Sequence, residues 1–205
     1  MARTRSFDEN EVLGGAMQAF RRHGYEGVSV RQLEQATGLT SGSIYNAYGD
    51  KDGLFRAALA HYVDGFVAGR LAAHAGPGAT LDDLEELFLS LFREPLTDGF
   101  GCLVTNSAIE FGGAGAGTPD EVGKALNMVE TSIRSVLLRE IGPGAAEPAM
   151  NRLALLYQGL LVFARAGRIG AAHRDAVRSE FDRLREARKR FRAGDAVQIN
   201  PAKKE

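Results

Sequence analysis

Residues 29–51 read SVRQLEQATGLTSGSIYNAYGDK, two short helical segments joined by a tight turn. Ser29 with Gln32 three residues on is a capping-box signature. Val30, Leu33 and Ala36 stripe the first segment, and Gly38 ends it. Thr40 or Ser41 caps the second segment, which runs to about Tyr48 and has Ile44 as its only large aliphatic side chain. A helix anchored at one residue leaves Ser41, Gly42, Ser43, Tyr45 and Asn46 facing outward. A helix that enters a major groove about 12 Å wide must keep such a face free of core duty. Two helices joined this way form a helix-turn-helix. The competing reading of the same pattern is a surface helix with a solvated polar face.

Outward from this pair the pattern stays helical, with no competing strand pattern and no internal repeat. A first helix from about Asp8 to His23 places Val12, Leu13, Ala16, Met17 and Phe20 on one face and stops at Gly24. Asp50 caps a fourth helix, striped by Leu54, Ala58, Tyr62 and Phe66 to about Ala73. Thr80 starts a fifth, stopped by Pro95, and a sixth runs from Cys102 to Phe111. After a GGAGAG stretch of flexible-linker composition, Thr118, Pro119 and Glu121 make a helix start. That seventh helix breaks at Gly142–Gly144. An eighth, from about Glu147 to Ala166, is apolar all round, and a ninth runs from about Ala171 to Arg192. The expectation is an all-α chain of about nine helices. It divides into a three-helix helix-turn-helix domain (residues 1–51), a larger ligand-binding and dimerisation domain (52–192) and a disordered tail (193–205).

The 205 residues are 44% hydrophobic and 25% charged, the balance of an ordinary soluble globular protein. The net charge of -1 creates no overall field toward nucleic acid or membrane. Residues 1–51 carry six cations against six anions, so DNA binding must rest on where the cations sit. Cys102 is the single cysteine, which excludes an intrachain disulfide and fits a reducing cytosol. The four histidines lack metal-site spacing. The N-terminus has no signal-peptide core, and runs such as GLLVFA are too short to span a bilayer. A cytoplasmic protein without metal, cofactor or membrane partner is expected.

Thr40, Ser41 and the N-terminus of the third helix can donate hydrogen bonds to phosphate. Asn46 can read an adenine edge, Tyr45 and Tyr48 can reach phosphates, and Lys51 can hold a flanking phosphate. Arg3 and Arg5 lie in an N-terminal arm suited to a backbone or minor groove, and Arg31, near the start of the second helix, can meet a phosphate. The segment GSIYNAYGDKDGLFRAAL, residues 42–59, resembles the hallmark of the TetR family of bacterial regulators through Gly42, Ile44, Tyr45, Tyr48, Lys51 and Leu54. The preceding GYEGVSVRQLEQATGLTSG is similar to the family's second helix and turn. The close resemblance covers roughly residues 8–60. Tyr48 stands where Phe is more usual, and Ala47 where His is common, which removes one potential phosphate contact.

The resemblance implies a ligand-responsive repressor that binds a palindromic operator as a homodimer through its eighth and ninth helices. The apolar surface of those helices points the same way. It also implies a small-molecule pocket among helices four to eight, with Tyr62, Phe66, Phe88, Phe92, Met128, Tyr157 and Phe163 as candidate lining residues. Taken singly, each reads as plain core before it reads as a ligand contact. Cys102, Asn106 and Glu110 are spaced by four and share one face, at the surface or toward a cavity. Cys102, at a helix start whose approach is left open by the glycines on either side of Phe100, is a candidate thiol sensor for electrophiles; its other reading is a small buried hydrophobe. The cationic run RLREARKR (residues 183–190) reads as a solvated face rather than a nucleic-acid site. No Ser-His-Asp order, HExxH, P-loop or GxGxxG motif supports an enzyme. Regulation by a protein partner is the remaining alternative to a small ligand.

Overall fold

The computed structural model describes residues 7–112 and 120–198. Among them are nine helices and no strand, so the all-α expectation holds. They are α1 (Glu9–His23), α2 (Val30–Thr37), α3 (Ser41–Tyr48), α4 (Lys51–Tyr62, a π-helical turn Val63–Val67, then Ala68–Ala75) and α5 (Leu81–Leu89, ending in a 3-10 turn Ser90–Phe92). Then come α6 (Leu103–Phe111), α7 (Asp120–Ile141), α8 (Pro143–Arg165) and α9 (Ala171–Gln198). The linker stretch after Gly112 and the Thr118–Pro119 helix start lie outside the described residues, as do residues 199–205.

The caps explain the first boundaries. The Asp8 side chain accepts from Asn10 and Glu11 N–H, Ser29 and Gln32 form a reciprocal capping box, and Thr40 and Asp50 cap α3 and α4. Gly38, left-handed at φ 70°, turns the chain between α2 and α3. Two departures lie at later ends. Helix α8 begins at Pro143 rather than Glu147, because a proline fits the first helical position, where its missing N–H is unneeded. Helix α9 continues to Gln198 beyond Arg192, into the segment expected to be a disordered tail, which holds the good helix formers Ala193, Ala196 and Gln198.

Packing divides the chain into two compact units, Met1–Gly69 with Phe100–Leu126, and Arg70–Gly99 with Asn127–Glu205. This packing boundary is not the residue 51/52 boundary read from the motif. In the first unit, Val12, Ala16 and Phe20 of α1 bury against Leu54, Phe55 and Ala58 of α4, and the Phe20 and Phe55 rings meet edge-on at 4.9 Å. Helix α2 crosses α1 at Gly15, where any Cβ would lie 1.9 Å from the Ala36 carbonyl oxygen. Ala36 meets α1 through its backbone while the residue itself is exposed, unlike its expected place in the apolar stripe.

The second unit is built on Phe88, Tyr157 and Phe181, with ring centroids 5.2 and 5.4 Å apart about Phe88. Ion pairs bind α9 across it. Arg185 pairs with Asp82 and Glu85 of α5, which hold its guanidinium firmly protonated. Arg188 donates to the buried Glu140 carboxylate at 2.8 Å, and that carboxylate also accepts the Leu81 N–H. The cationic run is therefore not simply solvated. Arg183, Arg185, Arg188 and Lys189 all have acidic partners within the unit.

Candidate nucleic-acid interface

Helix α3 is held by one buried side chain. Ile44 is 2% exposed, whereas Tyr45 is 46% exposed. Gly42, Ser43 and Asn46 are also exposed, as are Thr40 and Arg31. The outward face anticipated from the pattern is thus present. It combines a tyrosine hydroxyl, an amide and a serine hydroxyl on eight helical residues. Such groups can donate to phosphates and to base edges in a major groove.

Three expected DNA contacts are placed differently. The Ser41 N–H donates to the Glu34 carboxylate at 2.6 Å, so an acidic side chain of α2 already occupies the N-terminus of α3. The reason is electrostatic, because a helix N-terminus favours the nearest anion. The Thr40 hydroxyl accepts from the Ser43 N–H at 3.3 Å and lies 3.1 Å from the Ser43 hydroxyl, so it serves as a cap. Tyr48 is half-buried and its hydroxyl is enclosed, which leaves Tyr45 as the tyrosine that faces out. Arg3 and Arg5 lie outside the described residues.

Lys51, at the first position of α4, is half-buried, and its Nζ sits 4.8 Å from the centre of the Tyr25 ring. Tyr25 belongs to an aromatic cluster with Phe55 and Phe111, each at 5.1 Å. Its phenol is pushed above its ordinary range by burial first, then by the carboxylates of Asp52, Glu26 and Asp50. Sequence reading missed Tyr25, which carries no motif of its own. It also missed Arg21, 2% exposed, which donates from Nε to the Gly101 carbonyl at 2.6 Å. A signal for Arg21 was available, since it lies four residues after Met17, in register with the apolar stripe.

The ligand candidates divide between the units. Tyr62, Phe66, Cys102, Asn106 and Glu110 belong to the first, and Phe88, Met128 and Tyr157 to the second. Tyr62 is buried and stacks on half-buried Phe66 at 5.1 Å. Phe88 and Tyr157 are core residues, and the Tyr157 hydroxyl accepts from Arg70 at 3.1 Å. Met128 and Phe92 are half-buried, but Phe163 is 42% exposed and packs at a tilt against His173, ring centroids 4.5 Å apart, rather than lining an interior.

The Cys102, Asn106 and Glu110 face of α6 is committed to protein contacts. The Asn106 side chain donates to the Phe100 carbonyl at 2.8 Å. The Glu110 carboxylate accepts the Tyr25 and Glu26 N–H groups at 2.9 and 2.8 Å. Cys102 is the N-cap of α6 and 8% exposed, and Gly101 beside it is buried, so the approach expected to be open is closed. No helix among the described residues is long and apolar enough to cross a membrane. Among those residues there is also no cluster of three His, Cys, Asp or Glu able to hold a metal ion.

The family model for bacterial regulatory proteins of the tetR family matches residues 12–58, which span α1 to α3 and the start of α4. The chain is 33% identical over 113 residues to the HTH-type transcriptional regulator YezE of Bacillus subtilis, covering 54% of this chain and 58% of that one. It is 53% identical over 47 residues to the HTH-type transcriptional repressor AcnR of Corynebacterium glutamicum, covering 23% of this chain and 25% of that one. The matches thus span a little over half and a quarter of these relatives' lengths. A solved cysteine mutant of the TetR family transcriptional regulator CifR, in complex with 26-bp double-strand operator DNA, is 29% identical with a TM-score of 0.67. That match covers 90% of this chain and 99% of the other. The proteins matched are transcriptional regulators, not enzymes. Residues 12–58 thus carry the N-terminal helix-turn-helix region of the tetR family of bacterial regulatory proteins, and over nine-tenths of its length the chain is similar to a solved TetR-family transcriptional regulator.

Proposed function

We propose that the chain is a ligand-responsive transcriptional repressor that binds a palindromic operator as a homodimer and is released by a small-molecule inducer. The observation that carries the DNA-binding part is the division of α3 between a single buried anchor, Ile44, and an exposed polar face led by Tyr45. Repression is supported by relatives named as repressors, AcnR among them. The homodimer is supported by Leu155, Val162 and Phe163 of α8, which form an exposed apolar stripe at helical spacing. Pairing of α8 and α9 with their copies would bury it in a four-helix bundle, and a two-fold dimer matches a two-fold operator.

The inducer reading rests on the aromatic interiors around Tyr62 and Phe88, which suit a largely apolar molecule. A ligand shifts DNA binding only through its different affinity for the two states of the protein. Cys102, 8% exposed beside the buried Gly101, lends no support to covalent induction by an electrophile, so the reading is kept to a non-covalent ligand. The test of the DNA-binding part is a gel-shift titration of wild type, Tyr45→Ala and Lys51→Ala on a symmetric duplex site. Both variants should fold normally and bind about tenfold more weakly, in line with loss of one or two contacts of about 1 kcal/mol each. Unchanged affinity in both would remove α3 as the reading helix.

A further inference from the structure

Residues 20–26 close α1 and lead toward α2, and residues 100–111 hold them within the same compact unit. The Arg21 guanidinium donates to the Gly101 carbonyl, and that of Arg22 lies 4.6 Å from the centre of the Phe100 ring. The sharpest of these contacts is at the other end of α6. One carboxylate, Glu110, accepts two consecutive backbone N–H groups, those of Tyr25 and Glu26. Gly24 makes room for it. Its φ is 76°, and a Cβ there would lie 3.1 Å from a Glu110 carboxylate oxygen. Two adjacent N–H donors on one carboxylate fix the orientation of the peptide that carries Tyr25. The Tyr25 ring then rests against Phe111 of α6, and the Lys51 ammonium sits over that ring.

Lys51 has four rotatable bonds, so an unsupported ammonium loses considerable freedom when it meets a phosphate. A ring beneath it removes part of that loss beforehand by holding the charge through its quadrupole. The support is only as well placed as Tyr25 itself, and Tyr25 is placed by Glu110 and Phe111. We propose that Tyr25 positions the Lys51 ammonium for its phosphate contact, and that Glu110 and Phe111 set Tyr25, so that displacement of the α6 end is read out as a weakened phosphate contact. This rests on the reading of Lys51 as a phosphate ligand given above. It makes the turn after α1 a direct link from α6 to the DNA-contacting lysine.

A double-mutant cycle on operator affinity tests it, using wild type, Glu110→Gln, Lys51→Ala and the double variant of the full chain. The glutamine keeps the size of the side chain but turns an NH2 donor toward one of the two N–H groups. Glu110→Gln should weaken operator binding about threefold to fivefold, the scale of one lost hydrogen bond or cation–π contact. The slope of log affinity against log salt should fall toward that of Lys51→Ala, by up to about 0.9 for one phosphate. In the Lys51→Ala background the Glu110→Gln change should cost nothing further. An undiminished loss in that background means Glu110 is merely structural and overturns the link. No loss in either background overturns it as well. If Lys51→Ala binds like wild type, the phosphate contact itself falls, and the proposal with it. As a second arm, Tyr25→Phe should keep affinity and salt slope while Tyr25→Leu loses both; equal behaviour of the two removes the ring from the argument. Should Tyr25→Leu fail to fold in a thermal scan, Tyr25→Phe and the Glu110 cycle still decide.

Discussion

Truncation of Arg21 is the perturbation whose cost follows most directly from the structure. The side chain is 2% exposed, with Nε 2.6 Å from the Gly101 carbonyl and Nη1 3.1 Å from the Gln18 side chain. Arg21→Ala leaves the buried Gly101 carbonyl without this donor, at about 1–3 kcal/mol. It also empties the volume of a long side chain, at about 2–4 kcal/mol by comparison with other large-to-alanine changes. Relief from burying a guanidinium offsets part of this, so the net loss should be about 3 kcal/mol. At roughly 2–4 °C per kcal/mol for a chain of this size, melting should fall by about 6–12 °C. The assay is a thermal scan by circular dichroism, with Arg22→Ala as the neighbouring control. Arg22 is exposed and rests on the Phe100 ring at 4.6 Å, so its loss should cost less than about 1 kcal/mol. If Arg21→Ala melts within about 2 °C of Arg22→Ala, the buried donor contributes little and the reasoning fails.

Two further outcomes separate folding from assembly and covalent from non-covalent induction. Leu160 is 2% exposed and Leu155 is 77% exposed on the same helix. Leu160→Glu should therefore unfold the chain, and Leu155→Glu should leave a folded monomer in sedimentation velocity; a dimer that persists in Leu155→Glu would move the interface elsewhere. Cys102 is 8% exposed, so N-ethylmaleimide should modify it slowly in the native state and leave operator affinity unchanged. Rapid modification with loss of DNA binding in wild type, but not in Cys102→Ser, would instead make the thiol an input site.

The reading head was legible because its signals are local. Ser29 with Gln32, Gly38, Thr40 and Asp50 all act within one turn of a helix end, and the structure uses each as the pattern indicates. The apolar face of α8 was legible in composition but not in direction. Leu155 and Leu160 look alike in sequence, and only packing separates them. The α6 face was legible in spacing but not in purpose. The residues that occupy Glu110 lie 84 and 85 positions earlier in the chain. No local pattern announces that a carboxylate will meet two backbone N–H groups at such a separation. The occupied N-terminus of α3 was hidden for a related reason. Glu34 lies seven residues before Ser41, beyond the three-residue reach of a capping box.

The most direct measurement of the central claim is selection of binding sites by the purified chain from a random double-stranded DNA library. The account predicts enrichment of a two-fold symmetric site, with half-site centres separated by about one helical turn or a multiple of it. Binding to the enriched site should weaken steeply as salt rises and should be lost together with Tyr45 and Lys51. Rounds of selection that return no sequence above the input, or an enriched site bound equally well after both residues are replaced, would contradict it.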